Sequence, residues 1–114
     1  MDTSDKVANI RKAFERLPGL FETNGNDPAD GALSVVLTGS EGESFTLRMK
    51  EDECVFEEGE AEDAKVKVIA KPDIFYSVVR GEMSPMNAVF TGRMNVKGSM
   101  SFLQSFREVL HRHA

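Results

Sequence analysis

Residues 66–100 read VKVIAKPDIFYSVVRGEMSPMNAVFTGRMNVKGSM, and the rest of the chain is arranged around this segment. Val66 and Val68 alternate with lysines, which is the period of a half-buried strand. Pro72 suits the first turn of a helix. The negative charge of Asp73 in that turn is favourable, because the N-terminal end of a helix dipole is positive. The apolar residues that follow recur at helical spacing until Gly81, and glycine typically follows the C-terminal end of a helix. The sequence therefore predicts a strand followed by a helix.

The second half of the stretch returns to a strand. Ser84 and Pro85 are typical of an N-cap and a first helical position, and Gly92 ends that second helix. Met94 then begins an alternation of apolar and polar residues, and Gly98 leads into a further helix. A strand that returns through helix and turn usually makes a right-handed parallel crossover, so we expect the two strands to run parallel.

Three short strands precede this unit. Leu33–Leu37, Phe45–Met49 and Cys54–Phe56 each alternate apolar and polar residues, and turn residues separate them. This spacing predicts an antiparallel meander. Because Val36 adds an apolar residue on the second face, we expect the first strand to be central and covered on part of both faces.

An amphipathic helix is predicted at each end of the chain. Thr3 or Ser4 is a candidate cap for the first helix, and Pro18 with Gly19 ends it. The last helix is predicted from Ser99 to about residue 111. The apolar stripes of the two helices are Val7, Ile10, Phe14 and Leu17 in the first, and Phe102, Leu103, Phe106, Val109 and Leu110 in the last.

Composition narrows the possible functions. The 114 residues suit a single domain, 1–114, and the eight Phe and six Met suit either an ordinary core or an adaptable binding surface. Residues 1–70 hold 16 acidic and 8 basic side chains, whereas residues 71–114 hold 3 and 6. Without a concentrated basic stripe, we expect no nucleic-acid partner. For the basic half, a solvated helix face is the favoured interpretation, and transient contact with an anionic membrane surface is the alternative.

The residue pattern also argues against catalysis and against a bound metal, nucleotide or flavin. The two histidines, His111 and His113, lie near the C-terminus at a spacing that makes a poor metal pair. Cys54 is predicted to be a core residue between acidic neighbours, and no phosphate-loop motif is present. Residues 51–63 hold eight acids. We interpret them as a charged turn that keeps a sheet edge soluble, because their spacing does not match an EF-hand calcium loop.

A single cysteine gives no argument for an oxidising compartment. The polar N-terminus does not have the pattern of a signal peptide, and no apolar run is long enough to span a membrane. These features predict a soluble cytoplasmic protein. They leave the oligomeric state open.

The order of these motifs resembles the sterol carrier protein 2 (SCP2) lipid-binding family. The resemblance is strongest over residues 65–110 and includes the Lys-Pro-Asp helix start, the run SPMNAVFTG and the Gly-Ser-Met helix start. Many members carry Asp where this chain has Ser99, which can cap a helix equally well. The resemblance implies an α+β fold: a five-stranded mixed sheet, made of the antiparallel meander and a β-α-α-β crossover, with helices packed on one face.

The family resemblance further implies a non-catalytic carrier that holds a sterol, fatty acid, acyl-CoA or phospholipid in an apolar cavity. The alternative is an accessory or interaction domain of a larger lipid or quinone metabolic system. We expect the crossover helices and the last helix to wall the cavity, because they carry more apolar residues than one sheet face needs. The helix residues are chosen because their spacing turns them towards the core, and Met94 because it lies on the inner face of the last strand. The candidate ligand-binding residues are Phe75, Val79, Met83, Met86, Phe90, Met94, Met100, Leu103 and Phe106.

Overall fold

The computed structural model describes residues 2–20, 30–51 and 53–105. Four consecutive strands follow the first helix and its 3₁₀ turn, two helices and a fifth strand come next, and a further helix occupies residues 100–105, where the described part ends. The other elements are α1 (Thr3–Arg16), a 3₁₀ turn (Leu17–Leu20), β1 (Gly31–Leu37), β2 (Ser44–Lys50), β3 (Glu53–Glu58), β4 (Val66–Ala70), α2 (Pro72–Val79), α3 (Pro85–Phe90) and β5 (Met94–Gly98).

The five strands form one mixed sheet in the order β3-β2-β1-β4-β5. The antiparallel meander of β1, β2 and β3 is confirmed, and β1 is central as predicted. The predicted parallel pairing of β4 with β5 is wrong, because these neighbours are antiparallel and the parallel pair is β1 with β4. A single crossover helix would return the chain to the end of the sheet where β4 starts, and β5 would then run parallel to β4. Here α3 follows α2 and carries the chain back again, so β5 runs in the opposite direction.

Helices cover one face of the sheet, as predicted, and the main core lies beneath them. Val7, Ile10 and Phe14 of α1 are buried against the sheet at helical spacing. The Phe45 ring of β2 lies 5.1 Å from Phe14 and 5.5 Å from Phe56, between centroids. Tilted and stacked rings at such distances stabilise a core beyond the area that they bury.

Helix caps differ in detail from the prediction. The α1 helix begins one residue earlier than expected, because the Asp2 carboxylate accepts a hydrogen bond of 2.9 Å from the backbone N–H of Asp5. Ser84 occupies the N-cap position of α3 without a side-chain capping bond. Ser99 caps the last helix as predicted, since its Oγ accepts a hydrogen bond from Phe102 N–H at 3.2 Å.

The opposite face of the sheet carries a strap, which we define as residues 59–65. The strap joins β3 at one edge to β4 beyond β1, so it crosses over β2 and β1. Ala61 N–H donates to Ser34 Oγ at 2.9 Å, and Thr46 Oγ1 donates to the Gly59 carbonyl at 2.8 Å. Lys65 N–H donates to Ala32 O at 2.9 Å where the strap enters β4. Both faces of the central strands are therefore covered.

The end of the strap also fixes the start of the last helix. Ser99 N–H donates to the Lys65 carbonyl at 2.9 Å, so the chain must pass very close to that group. Gly98 has a φ of +108°, and a Cβ at this position would lie 2.1 Å from Lys65 O. Glycine is required here for both reasons. The Gly-Ser pair noted in the sequence thus ties the start of the last helix to the end of the strap.

Candidate functional site

The sequence-predicted site residues fall into three groups by burial. Phe75 and Met94 are buried inside the core beneath the helices. The Phe75 ring lies 5.7 Å from that of Phe14, so α2 packs directly against α1. At these two positions the inward phase predicted from the sequence is confirmed, but contact with a ligand stays a prediction.

A second group lies at the rim of the core. Val79, Met83 and Leu103 are half-buried and pack against the core cluster. Met100 is half-buried at the start of the last helix. These side chains come from α2, the following turn and the last helix, which are the elements predicted to wall a cavity. Part of their surface is still accessible, and contact with a ligand stays a prediction for these residues as well.

The third group lies outside the core, and here the predicted inward phase is wrong. Met86 is 49% exposed and Phe90 is 83% exposed. The α3 helix turns Pro85 and Ala88 inward instead, and Ala88 is fully buried. A small side chain allows the helix backbone to approach the sheet closely, and this rotates Met86 and Phe90, which share one face at i and i+4, towards solvent.

The remaining candidate, Phe106, lies outside the described residues, as do Val109, Leu110 and the two histidines. Sequence reasoning did not pick Tyr76, which has cations on both sides. The Lys6 ammonium lies 5.8 Å and the Arg80 guanidinium 5.4 Å from its ring centroid, and Arg80 Nη1 donates to the Tyr76 hydroxyl at 3.0 Å. This hydrogen bond raises the pKa of Arg80, which stays charged. Both cations also have carboxylate partners, because Lys6 lies 3.2 Å from Asp73 and Arg80 lies 3.6 Å from Glu82.

The strap face carries a polar groove of about 400 Å³, lined by Thr46, Arg48 and residues 57–63. Arg48 occupies it with a fork of hydrogen bonds to Asp63, at 2.9 and 3.0 Å, and with further bonds to Glu57. These hydrogen bonds raise the pKa of Arg48 and lower that of Asp63. The groove is lined mainly by charged and polar side chains, several of which pair with one another, so it suits a lipid tail poorly.

Several acids of residues 51–63 therefore hold the strap in place, which the sequence interpretation as a charged turn did not anticipate. Glu60 pairs with Lys67 at 2.8 Å, in addition to the Arg48 contacts. Glu58 at the end of β3 pairs with Arg11 of α1, whose guanidinium also lies 5.3 Å from the Phe56 ring centroid. Among the residues that the structure describes, no group of three or more His, Cys, Asp or Glu side chains is arranged to hold a metal ion.

Within the described ranges, no helix is both long and apolar enough to cross a membrane.

Solved structures confirm the fold and its topology. The chain is similar to the sec-alkylsulfatase Pisa1 from Pseudomonas sp. (16% identity, TM-score 0.68), to palmitated SCP2L2 from Aedes aegypti (17%, 0.64) and to the ubiquinone synthesis protein UbiJ-SCP2 (20%, 0.65). The matches cover 82%, 90% and 98% of this chain. At such identities the likeness shows the fold alone.

The matches cover very different shares of the relatives' own chains. The chain spans only 15% of the sulfatase but 90% of SCP2L2 and 95% of UbiJ-SCP2. No curated protein matches the chain significantly in sequence. The model of the SCP-2 sterol transfer family matches residues 26–111, which is most of the chain. With the five-stranded mixed sheet and its helical cover, this match shows that the chain belongs to the SCP-2 sterol transfer family.

Proposed function

We propose that this domain is a non-catalytic carrier that holds a hydrophobic ligand between its helices and its sheet. The observation that carries the proposal is the family match over residues 26–111. Sterols, fatty acids, acyl-CoAs and phospholipids are the ligand classes that we consider. The solved structure of SCP2L2 is of a palmitated protein, which makes a fatty acid the first ligand to test.

The half-buried rim supports this proposal. Val79, Met83 and Leu103 pack against the core while keeping accessible surface. Apolar contact favours binding by about 25 cal/mol for each Å² that leaves water, and flexible methionine side chains adapt to ligands of different shape. The cations beside Tyr76 lie next to this rim, because Tyr76 and Val79 are neighbours on one face of α2. An anionic head group would compete for them with Asp73 and Glu82.

Binding of a fluorescent fatty acid in solution, with palmitate as competitor, tests the proposal. We expect Met83→Gln to weaken binding about tenfold, because an amide would lie against the ligand without a hydrogen-bond partner. Met86→Gln is the matched control, since the same change is made on a side chain that points away from the core. Thermal melts of both variants separate lost binding from lost folding.

Three outcomes are informative. Weaker binding by Met83→Gln alone supports a site beneath the helices. Equal weakening by Met86→Gln would instead support the full set of sequence-predicted residues, in which Met86 and Phe90 also contact the ligand. Absence of binding by the parent protein, together with no lipid detected by native mass spectrometry after purification, would contradict the carrier function.

The second candidate function is that of an accessory domain in a lipid or quinone metabolic system. The observation behind it is the structural similarity to UbiJ-SCP2, a ubiquinone synthesis protein of which the chain spans 95%. A carrier binds its lipid alone, whereas an accessory domain needs a protein partner. Native mass spectrometry of the protein captured from its host distinguishes the two, because it detects a bound lipid and a bound protein as different added masses.

A further inference from the structure

The α3 helix displays an apolar face that the packing of the domain leaves in water. Among the described residues, three large hydrophobic side chains are exposed, and two of them, Met86 and Phe90, lie on this one short helix. Their i, i+4 spacing places them side by side. Phe90 is 83% exposed, so transfer of nearly the whole ring from water to an apolar environment would still be favourable.

The charge around this face is unlike that of the rest of the protein. No acidic residue occurs from Met83 to Arg107, whereas Arg93 directly follows α3 and is exposed. Arg80 precedes α3 in the chain. Glu82, the acid nearest to α3 in the sequence, lies 3.6 Å from Arg80 and is paired with it. The face is therefore apolar, and Arg93 is its basic border, because Arg80 is already in contact with Glu82. The first 70 residues, by contrast, hold 16 acidic and 8 basic side chains.

We propose that the exposed face of α3 docks on an anionic lipid bilayer. Phe90 and Met86 enter the boundary between head groups and acyl chains, and Arg93 lies against the anionic head groups. This combination of apolar side chains with nearby bases is what binds a protein reversibly to a membrane surface. The proposal concerns a surface and not the bound ligand, so it does not depend on the carrier function.

The size of the face favours a bilayer over a second copy of the chain. An aromatic side chain buries about 150–250 Å², so Phe90 and Met86 together supply roughly 400 Å² at most. A stable protein interface needs about 800 Å² from each partner. A bilayer needs only a few anchoring side chains together with charge, because its own surface is continuous and fluid.

The third exposed hydrophobic side chain provides an internal control. Val55 on β3 is 47% exposed, close to the value for Met86, but acidic residues Glu53 and Glu57 lie on either side of it. An anionic bilayer repels that edge of the sheet. If exposure alone drove binding, positions 55 and 90 would both respond to vesicles; if the proposal holds, only position 90 responds.

The chain contains no tryptophan, so F90W and V55W each carry a single fluorescent reporter. Both variants are titrated with vesicles of phosphatidylcholine alone and with vesicles that contain one quarter phosphatidylserine. We expect F90W to shift its emission to the blue, to be quenched by lipids brominated in their acyl chains, and to sediment with the phosphatidylserine vesicles. We expect V55W to show none of these changes.

A second pair of variants tests the basic border. Arg93→Gln should weaken sedimentation with phosphatidylserine vesicles about fivefold, because one cation near an anionic surface contributes about that factor. Lys50→Gln removes the same charge from the far end of β2, where the side chain is also exposed, and should leave sedimentation unchanged. The difference between the two variants should disappear at high salt, since screening shortens the range of the attraction.

Several results would overturn the docking surface. An unchanged F90W spectrum with either kind of vesicle contradicts it directly. A blue shift that depends on protein concentration without vesicles would identify a second copy as the occupant. A blue shift while the protein stays in the supernatant would mean that a lipid has left the vesicle for a site near position 90. The fatty-acid assay in solution uses no vesicles, so failure of docking and failure of the carrier function are recorded separately.

Discussion

Phe45 and Thr46 are neighbours on β2 and both are fully buried, but they face opposite sides of the same sheet. Phe45 lies among aromatic rings beneath the helices. Thr46 lies beneath the strap and exchanges hydrogen bonds with Ser34 and Gly59. One side of the sheet is held by apolar contact, and the other is held by polar groups that satisfy one another.

The difference shows how a thin cover can bury polar strand residues at little cost. Thr46 has one hydroxyl hydrogen and donates it to Gly59 O, so Ser34 Oγ–H must donate across the 2.8 Å contact to Thr46 Oγ1. Ser34 Oγ in turn accepts from Ala61 N–H. Every hydroxyl in this chain of hydrogen bonds has a partner, as buried polar groups require. A strap of few residues can therefore cover the face opposite the described helices.

The largest expected effect in this comparison comes from the apolar side. Phe45→Ala should lower the free energy of unfolding by about 3–5 kcal/mol, because it removes a buried ring and leaves a cavity between Phe14 and Phe56. Urea denaturation followed by circular dichroism measures this change. A loss below about 1 kcal/mol would mean that the helices do not pack tightly on the sheet.

A smaller effect is expected from the neighbouring position on the polar side. Thr46→Val keeps the shape of the side chain but leaves Gly59 O without its donor and the Ser34 hydroxyl without its acceptor. We expect a loss of about 1–3 kcal/mol in the same denaturation experiment. Thr46→Ser is the control, because it retains the hydroxyl and should keep most of the stability. Equal losses in both variants would show that the methyl group, and not the hydrogen bonds, matters at this position.

Periodicity predicted the helix-covered side well because burial there follows regular spacing. The stripe of α1 through Val7, Ile10 and Phe14 and the alternation around Phe45 both point to the core as expected. Strand direction was predicted less well. The pairing of β4 with β5 depends on how two short helices pass over the sheet, and no local pattern encodes that path.

The strap and the outward face of α3 escaped prediction for a related reason. Ser34 and Thr46 have the sequence signature of solvent-facing strand residues, so only the path of residues 59–65 reveals that they are buried. On α3 the choice of inward face depends on Ala88, a small residue that hydrophobicity ranks below Met86 and Phe90. A helix of six residues is too short for its periodicity to show that the less hydrophobic face is the buried one.

The smallest effect in the comparison is the pH dependence of the strap, and it distinguishes ion pairing from simple covering. Hydrogen bonds from Arg48 hold the pKa of Asp63 below its ordinary value of about 3.9. Because the folded-state pKa is lowered, the charged carboxylate stabilises the fold above pH 4. That contribution is lost as the pH falls through the lowered pKa. Asp63 is exposed and the effect is screened, so we expect a modest change.

Asp63→Asn should therefore lower the denaturation midpoint slightly at neutral pH and make stability less dependent on pH in the acidic range below the ordinary carboxyl pKa. Glu62→Gln removes the same charge from the adjacent, exposed position of the strap and serves as the control. If Glu62→Gln flattened the pH profile as much as Asp63→Asn, general repulsion among the acids would explain the dependence. A change confined to Asp63→Asn would assign it to the fork with Arg48. The strap would then be held by a specific ion pair as well as by the hydroxyl groups of Ser34 and Thr46.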